Sequence, residues 1–138
     1  MSADDERLIR VSAVVLRDES GRVLTVRKLG TSRFMLPGGK PEAGETAAET
    51  ALREAHEELG VVLDSALLAP LGTFRSAAAN EPDHLLESTV FTHPPVAIAG
   101  PAAEIAELRW LDPAAELPDD LAPMLLENVL PALAAAAD

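Results

Sequence analysis

The chain predicts an α+β fold, a mixed sandwich of sheet and helix. Three observations carry that prediction. Short runs of alternating or apolar residues open the chain and return after residue 67; one long amphipathic helical pattern lies between them; Gly- and Pro-dense joints separate the segments. With 138 residues and 48% hydrophobic side chains, the chain suits one globular domain over residues 1–138, long enough for a core and too short for two. Strands interspersed with helices and hairpins point away from a parallel doubly wound sheet.

Leu8–Leu16 reads as a strand with Ile9, Val11, Ala13 and Val15 on one face. Asp18-Glu19-Ser20-Gly21 is turn chemistry and Val23–Lys28 a second strand, so the two are expected to form a hairpin. Residues 29–33 form a short loop, and a helix is expected over 46–59 with Gly60 as its stop. Residues 67–76 and 85–92 read as strands around a polar loop, Asn80-Glu81-Pro82-Asp83-His84, and Pro94-Pro95 ends the second. A further short strand lies at 107–111. Pro118-Asp119-Asp120 opens a helix toward the C-terminus, kinked or broken near Pro131, with a frayed tail at 132–137.

The chemistry concentrates between residues 38 and 61. In Arg53-Glu54-Ala55-His56-Glu57-Glu58, three carboxylates stand at i, i+3 and i+4. On a helix they share an arc of roughly 100°, beside an apolar stripe of Ala48, Ala51, Leu52, Ala55 and Leu59. Like charges so placed repel unless a cation lies among them, and a hard divalent ion, Mg²⁺ or Mn²⁺, is the natural neutraliser. The preceding Leu36-Pro37-Gly38-Gly39-Lys40-Pro41-Glu42-Ala43-Gly44-Glu45 is a loop whose backbone can approach a ligand closely. Taken alone, the acidic hexapeptide is also what a solvated helix face looks like; the loop before it shifts the balance toward a metal–phosphate site.

These residues resemble the Nudix box, the signature of the Nudix hydrolase family. Gly39, Glu45, Arg53, Glu54, Ala55, Glu57, Glu58, Gly60 and Val61 fill every fixed position at the required spacing. Phe34-Met35-Leu36-Pro37-Gly38 resembles the usual lead-in, with Phe34 where many members carry Trp. The resemblance implies the family fold, a mixed β-sheet between helices (an α/β/α sandwich) with a loop–helix–loop motif. It also implies a metal-dependent pyrophosphohydrolase acting on a nucleoside diphosphate linked to another moiety. By position, Glu54, Glu57 and Glu58 are then expected to bind Mg²⁺ or Mn²⁺ together with the Gly38 carbonyl. Arg53 is expected to orient these acids, and Gly39 and Glu45 to support loop and helix. A catalytically silent Nudix-fold sensor that binds nucleotides is the main alternative, and an acidic scaffold fitting the box by coincidence a third.

Composition narrows the partners. A net charge of −12 offers no basic patch for a nucleic-acid polymer, though it leaves small phosphorylated substrates open. No cysteine is present, which excludes disulfides and thiolate metal sites. The acidic opening Met1-Ser2-Ala3-Asp4-Asp5-Glu6 lacks a signal core and no apolar run reaches spanning length, so a cytoplasmic protein free of membranes is expected. No organic cofactor is indicated, and monomer and homodimer both stay open.

Outside the box, Glu104 and Glu107 precede or enter the late strand, where relatives often place a further acid; Glu54 and Glu104 are the candidate bases. Arg27, Lys28 and Lys40 are read mainly as solvated charges near the loop. His56 is read as exposed, His84 as a pocket candidate and His93 as loop surface. With no tyrosine and one tryptophan, base stacking would fall to Phe34, Phe74 or Phe91. Trp110 is read as packing.

Overall fold

The computed structural model describes residues 7–79 and 81–137. The acidic residues 1–6, Asn80 of the polar loop and Asp138 lie outside the described residues.

A strand at Leu8–Leu16 (β1) is the centre of the molecule. It pairs in parallel with Leu85–His93 (β5), from Leu8↔Leu85 to Leu16↔His93, and antiparallel with the two-residue strand Gly38–Gly39 (β3). Ala69–Ala77 (β4) joins the far side of β5, giving a four-stranded mixed sheet in the order β3-β1-β5-β4. Val23–Lys28 (β2) and Ile105–Leu111 (β6) form a separate antiparallel pair.

Alternation along β1 explains the layering. Ala13 and Val15 face one core, which contains Leu125 and Val129 of the C-terminal segment. Val14 and Leu16 face a second core, which contains Ala55 and Leu59 of the helix Ala47–Leu59 (α1). The last five residues of β1 are therefore buried whichever way they point. Helices cover both faces, the α/β/α arrangement expected.

The expected β1–β2 hairpin does not form. The turn exists, with Gly21 N–H donating to the Asp18 carbonyl at 3.0 Å, but only the single bridge Arg17↔Val23 follows it. Both edges of β1 are already taken by β3 and β5, so β2 must find its partner elsewhere. It finds β6, with an irregularity between Arg27 and Lys28.

The C-terminal helix also begins later than expected. Asp120 and Ala122 are occupied by Phe34: Phe34 N–H donates to the Asp120 carbonyl and Ala122 N–H to the Phe34 carbonyl, both at 2.8 Å. Arg109 clamps this segment, holding Asp120 through two hydrogen bonds (2.6 and 3.0 Å) while its guanidinium lies 3.7 Å over the Phe34 ring. Helical turns start only after Pro123. Met124–Val129 is π-helical, with Leu130 N–H donating to the Leu125 carbonyl, and Leu130–Ala137 (α2) continues as α-helix. The irregularity thus precedes Pro131, whose missing N–H cannot serve an α-helical ladder there. The tail expected to fray is helical through Ala137. His93, expected on a loop surface, is buried at the end of β5. Its Nε2 accepts the Asp64 N–H at 3.1 Å, which leaves Nδ1 to donate to the Pro94 carbonyl at 2.8 Å.

Both ends of α1 are fixed by local chemistry. Thr46 and Glu49 form a reciprocal capping box, and Gly60 ends the helix at φ 69° with its N–H on the His56 carbonyl. Among the described residues no helix is long and apolar enough to cross a membrane. At Gly60 a Cβ would lie 3.2 Å from the Ala99 Cβ. Gly60→Ala is expected to cost about 1–2 kcal/mol from the left-handed backbone alone, read as a lowered urea midpoint with unchanged m-value.

Candidate active site

The site is assembled where the N-terminal loop of α1 crosses β1. Gly38 and Gly39 pair with Ala13 and Ser12, and each lacks a side chain for a steric reason. A Cβ on Gly38 would lie 2.8 Å from the Ala13 Cα, and one on Gly39 would lie 2.6 Å from the Glu54 Cδ. The glycines let the loop backbone close simultaneously on β1 and on the acidic face of α1.

Glu58 is the acid that the fold encloses. It is 4% exposed, and its Oε1 accepts the Gly38 N–H at 3.1 Å. Lys28, at the end of β2, places its ammonium 3.2 Å from the Gly38 carbonyl oxygen and 3.6 Å from Glu58 Oε2. Burial pushes the Glu58 carboxyl up to about 7 and the Glu54 charge adds to the rise, against the opposing pull of Lys28 and the Gly38 N–H. Lys28, expected as a solvated charge, is therefore part of the site. Strand alternation parts these neighbours: Arg27 is on the other face of β2 and pairs with Glu107 at 3.0 Å.

Arg53 gathers the remaining acids. Its Nε donates to Glu45 Oε2 at 2.7 Å and its Nη2 to Glu45 Oε1 at 3.0 Å; its Nη1 reaches Glu57 at 2.9 Å and Glu54 at 3.2 Å. Nη2 also donates to the Lys40 carbonyl at 2.9 Å, tying the loop to the helix. Glu45 in turn accepts the Glu42 N–H at 2.8 Å and the Thr50 hydroxyl at 2.9 Å. Arg53 first, then these donors, hold the Glu45 carboxyl down at about 2, and the same pairing raises the Arg53 pKa. Arg53 thus contacts Glu45, Glu54, Glu57 and the loop backbone, and Glu45 contacts both loop and helix.

The three box acids are not equivalent. Glu54 and Glu58 lie at the Gly38–Gly39 turn, whereas Glu57 is turned to Arg53 and half exposed. Among the described residues no three acidic or histidine side chains converge into a ready ligand group. A cavity of about 570 Å³ opens beside the turn, and Glu54, Glu58, Arg53, Lys28, Lys40 and Glu104 all line it. Glu104, suggested by its place before the late strand, does reach the site; Glu107 does not. His56 is exposed as expected, and His84, which turns Nδ1 to the Pro82 carbonyl, does not line the cavity. None of the phenylalanines lines it either: Phe34 lies under Arg109, Phe74 folds over Gly72 of its own strand, and Phe91 is buried. The far wall is aliphatic, with Ile9, Val11, Leu86, Met124 and Leu125, and it carries the nearly inaccessible Ser88. Ser88 was missed in the sequence; its only signal is a polar residue among the apolar inward positions of β5.

Comparison with known proteins decides the family. A family model described as NUDIX domain matches residues 6–133. The chain belongs to the Nudix family. An 8-oxo-dGTP diphosphatase of Haemophilus influenzae (strain ATCC 51907 / DSM 11121 / KW20 / Rd) is 37% identical over 62 residues, 42% of this chain and 46% of that protein. The crystal structure of a MutT protein from Methanosarcina mazei Go1 has a TM-score of 0.76 at 21% identity, covering 95% of this chain and 96% of that one. The NUDIX domain of Shewanella oneidensis NrtR, solved with ADP ribose, has a TM-score of 0.74 at 20% identity, covering 95% and 89%. Likeness at that identity establishes the Nudix fold. The alignments span 33% to 66% of the curated relatives' own lengths, and those relatives' names run from diphosphatases to an isopentenyl-diphosphate Delta-isomerase.

Two pH effects follow for the metal-free Nudix chain, both measurable by urea unfolding in chelator. Glu58 titrates higher when folded than its ordinary 4.5, so folding binds the proton and stability falls as pH rises from about 4.5 to about 7. The expected loss is about 3 kcal/mol, and Glu58→Gln should flatten that slope. Glu45 titrates lower when folded, so its contribution is present above about 4.5 and disappears as pH falls through about 2; Arg53→Met should remove that acid dependence.

Proposed function

We propose that the chain is a metal-dependent Nudix pyrophosphohydrolase. It uses water to cleave a phosphoanhydride bond in a nucleoside diphosphate linked to another moiety, a nucleoside triphosphate or similar. The observation that carries this reading is the cation already held at the loop–helix junction: the Lys28 ammonium lies against both the Gly38 carbonyl and Glu58, with Glu54 at the adjoining glycine. Oxygens arranged around positive charge, one of them from a buried carboxylate, fit a hard divalent ion such as Mg²⁺ or Mn²⁺. The Gly38 carbonyl, Glu54, Glu57 and Glu58 would hold it. When bound, such an ion offsets the charge of the diphosphate and makes water more acidic.

The chain's own residues supply the rest. Arg53 fixes the rotamers of Glu54 and Glu57 through two hydrogen bonds, so the acids are in place before any ligand arrives. Lys40 and Lys28 on the cavity wall offer positive charge to the phosphates. Glu54 and Glu104 both line the cavity and are the two candidate bases for taking a proton from water there. The diphosphatase activity named for the Haemophilus relative and the ADP-ribose complex of the Shewanella domain support nucleotide-derived substrates. A cysteine-free chain suits a cytoplasmic setting.

The test is phosphate release with Mg²⁺ across nucleoside triphosphates, oxidised dNTPs, ADP-ribose, nucleotide sugars and diadenosine polyphosphates. Glu54→Gln and Glu58→Gln should each lower kcat by at least ~100-fold with little change in KM, and Glu57→Gln by about tenfold, since Glu57 sits on the exposed side of Arg53. Full turnover in the first two variants would remove the assigned site. Tight nucleotide binding with no hydrolysis of any substrate would favour the silent sensor.

A further inference from the structure

The Lys28 ammonium sits where two of the oxygens assigned above to the divalent ion converge. It lies 3.2 Å from the Gly38 carbonyl oxygen and 3.6 Å from Glu58 Oε2. Glu58 has little access to water, and its second oxygen is committed to the Gly38 N–H, so Lys28 is the charged group that balances it from β2. A surface lysine would not reach this point unaided. Alternation along β2 places Lys28 on the face of Leu24 and Val26, toward the turn and α1, and Arg27 on the other face, where it pairs with Glu107.

We infer that Lys28 is the resident counter-ion of the metal site, holding the Gly38 carbonyl and Glu58 in position in the metal-free chain and yielding that place when a divalent ion binds. This rests on the metal-dependent reading above. An ammonium and a divalent ion cannot share the same two oxygens, because positive charges a few ångströms apart in a poorly solvated site repel strongly. The lysine stem is flexible and about a quarter of the side chain is exposed, so the ammonium has somewhere to go. Until then it spares the fold an uncompensated buried carboxylate. The metal site is thereby kept open in shape but occupied in charge, and metal affinity is set by an exchange of cations instead of by simple binding.

Calorimetric titration of Mn²⁺ into the nucleotide-free chain tests this directly. Lys28→Met removes the competitor and should tighten the Mn²⁺ Kd at least fivefold; Lys28→Arg keeps a permanent charge and should bind no tighter than wild type. The metal-free Lys28→Met chain should also melt lower than wild type, with added Mn²⁺ closing the gap. A purely structural lysine would weaken metal binding when lost, so an unchanged or weaker Kd in a folded Lys28→Met chain overturns the exchange. If Lys28→Met does not fold, a Kd for Lys28→Arg tighter than wild type overturns it, and one equal or weaker supports it. Wild type that binds Mn²⁺ normally in either failing case leaves the hydrolase reading standing. Wild type that binds no Mn²⁺ and releases no phosphate removes both.

Discussion

One enclosed carboxylate sets the terms for the molecule's functional end. Glu58 is placed on the core side of α1, among Ala51, Ala55 and Leu59, where an apolar residue would serve stability better. Its charge is costly there, and three features meet the cost: the Gly38 N–H, the Lys28 ammonium and the proximity of the glycine loop, which a Cβ would block. These features come from two stretches of chain, the loop and β2, and both meet the helix that carries Glu58. Their convergence fixes how the loop, the helix and β2 sit against one another, and the cavity mouth is the gap they leave.

Around that centre the charges are organised and not merely abundant. The chain carries 23 acids against 11 lysines and arginines, so an exposed acidic helix would ordinarily repel itself. Arg53 counters this locally by touching Glu45, Glu54 and Glu57 at once. A lysine in its place has one donor group and no planar fork, and it would choose among these partners instead of joining them. Glu58 is the acid that Arg53 does not reach, and it is met from the opposite side by Lys28. The two basic residues thus divide the four acids and leave Glu54 poised between them, beside Gly39.

Legibility followed the range of the interactions. The strand β1, the span of α1, the stop at Gly60 and the spacing of the box acids are written within a few residues of one another, and all were readable. Pairings across the chain were not. The Asp18–Gly21 turn is real, yet the hairpin fails because β3 and β5 outcompete β2 for the edges of β1. The late helix start depends on Phe34, Arg109 and Asp120, which lie far apart in sequence. Lys28 shows the same limit within the site. Alternation puts it on the face of Leu24 and Val26, but its meeting with the Gly38 carbonyl and Glu58 depends on how β2 packs against the loop and α1.

The same distinction separates the two halves of the cavity. Its acidic end is built mainly from one stretch, residues 38–58, joined by Lys28 and Glu104 from elsewhere in the chain. The remainder is built from β1, β5 and the π-helical turns after Pro123, three elements joined only by the fold. There Ile9 lies beside Leu86 and Val11 beside Ser88 in the parallel register, a largely aliphatic surface that also carries Ser12 and Ser88. The aromatic rings expected to stack a base are spent elsewhere, Phe34 beneath Arg109 above all. This wall therefore offers shape and aliphatic surface in place of an aromatic platform. A π-helical register in place of an α-helical one, which presents Met124 and Leu125 at that wall, is part of how the shape is set.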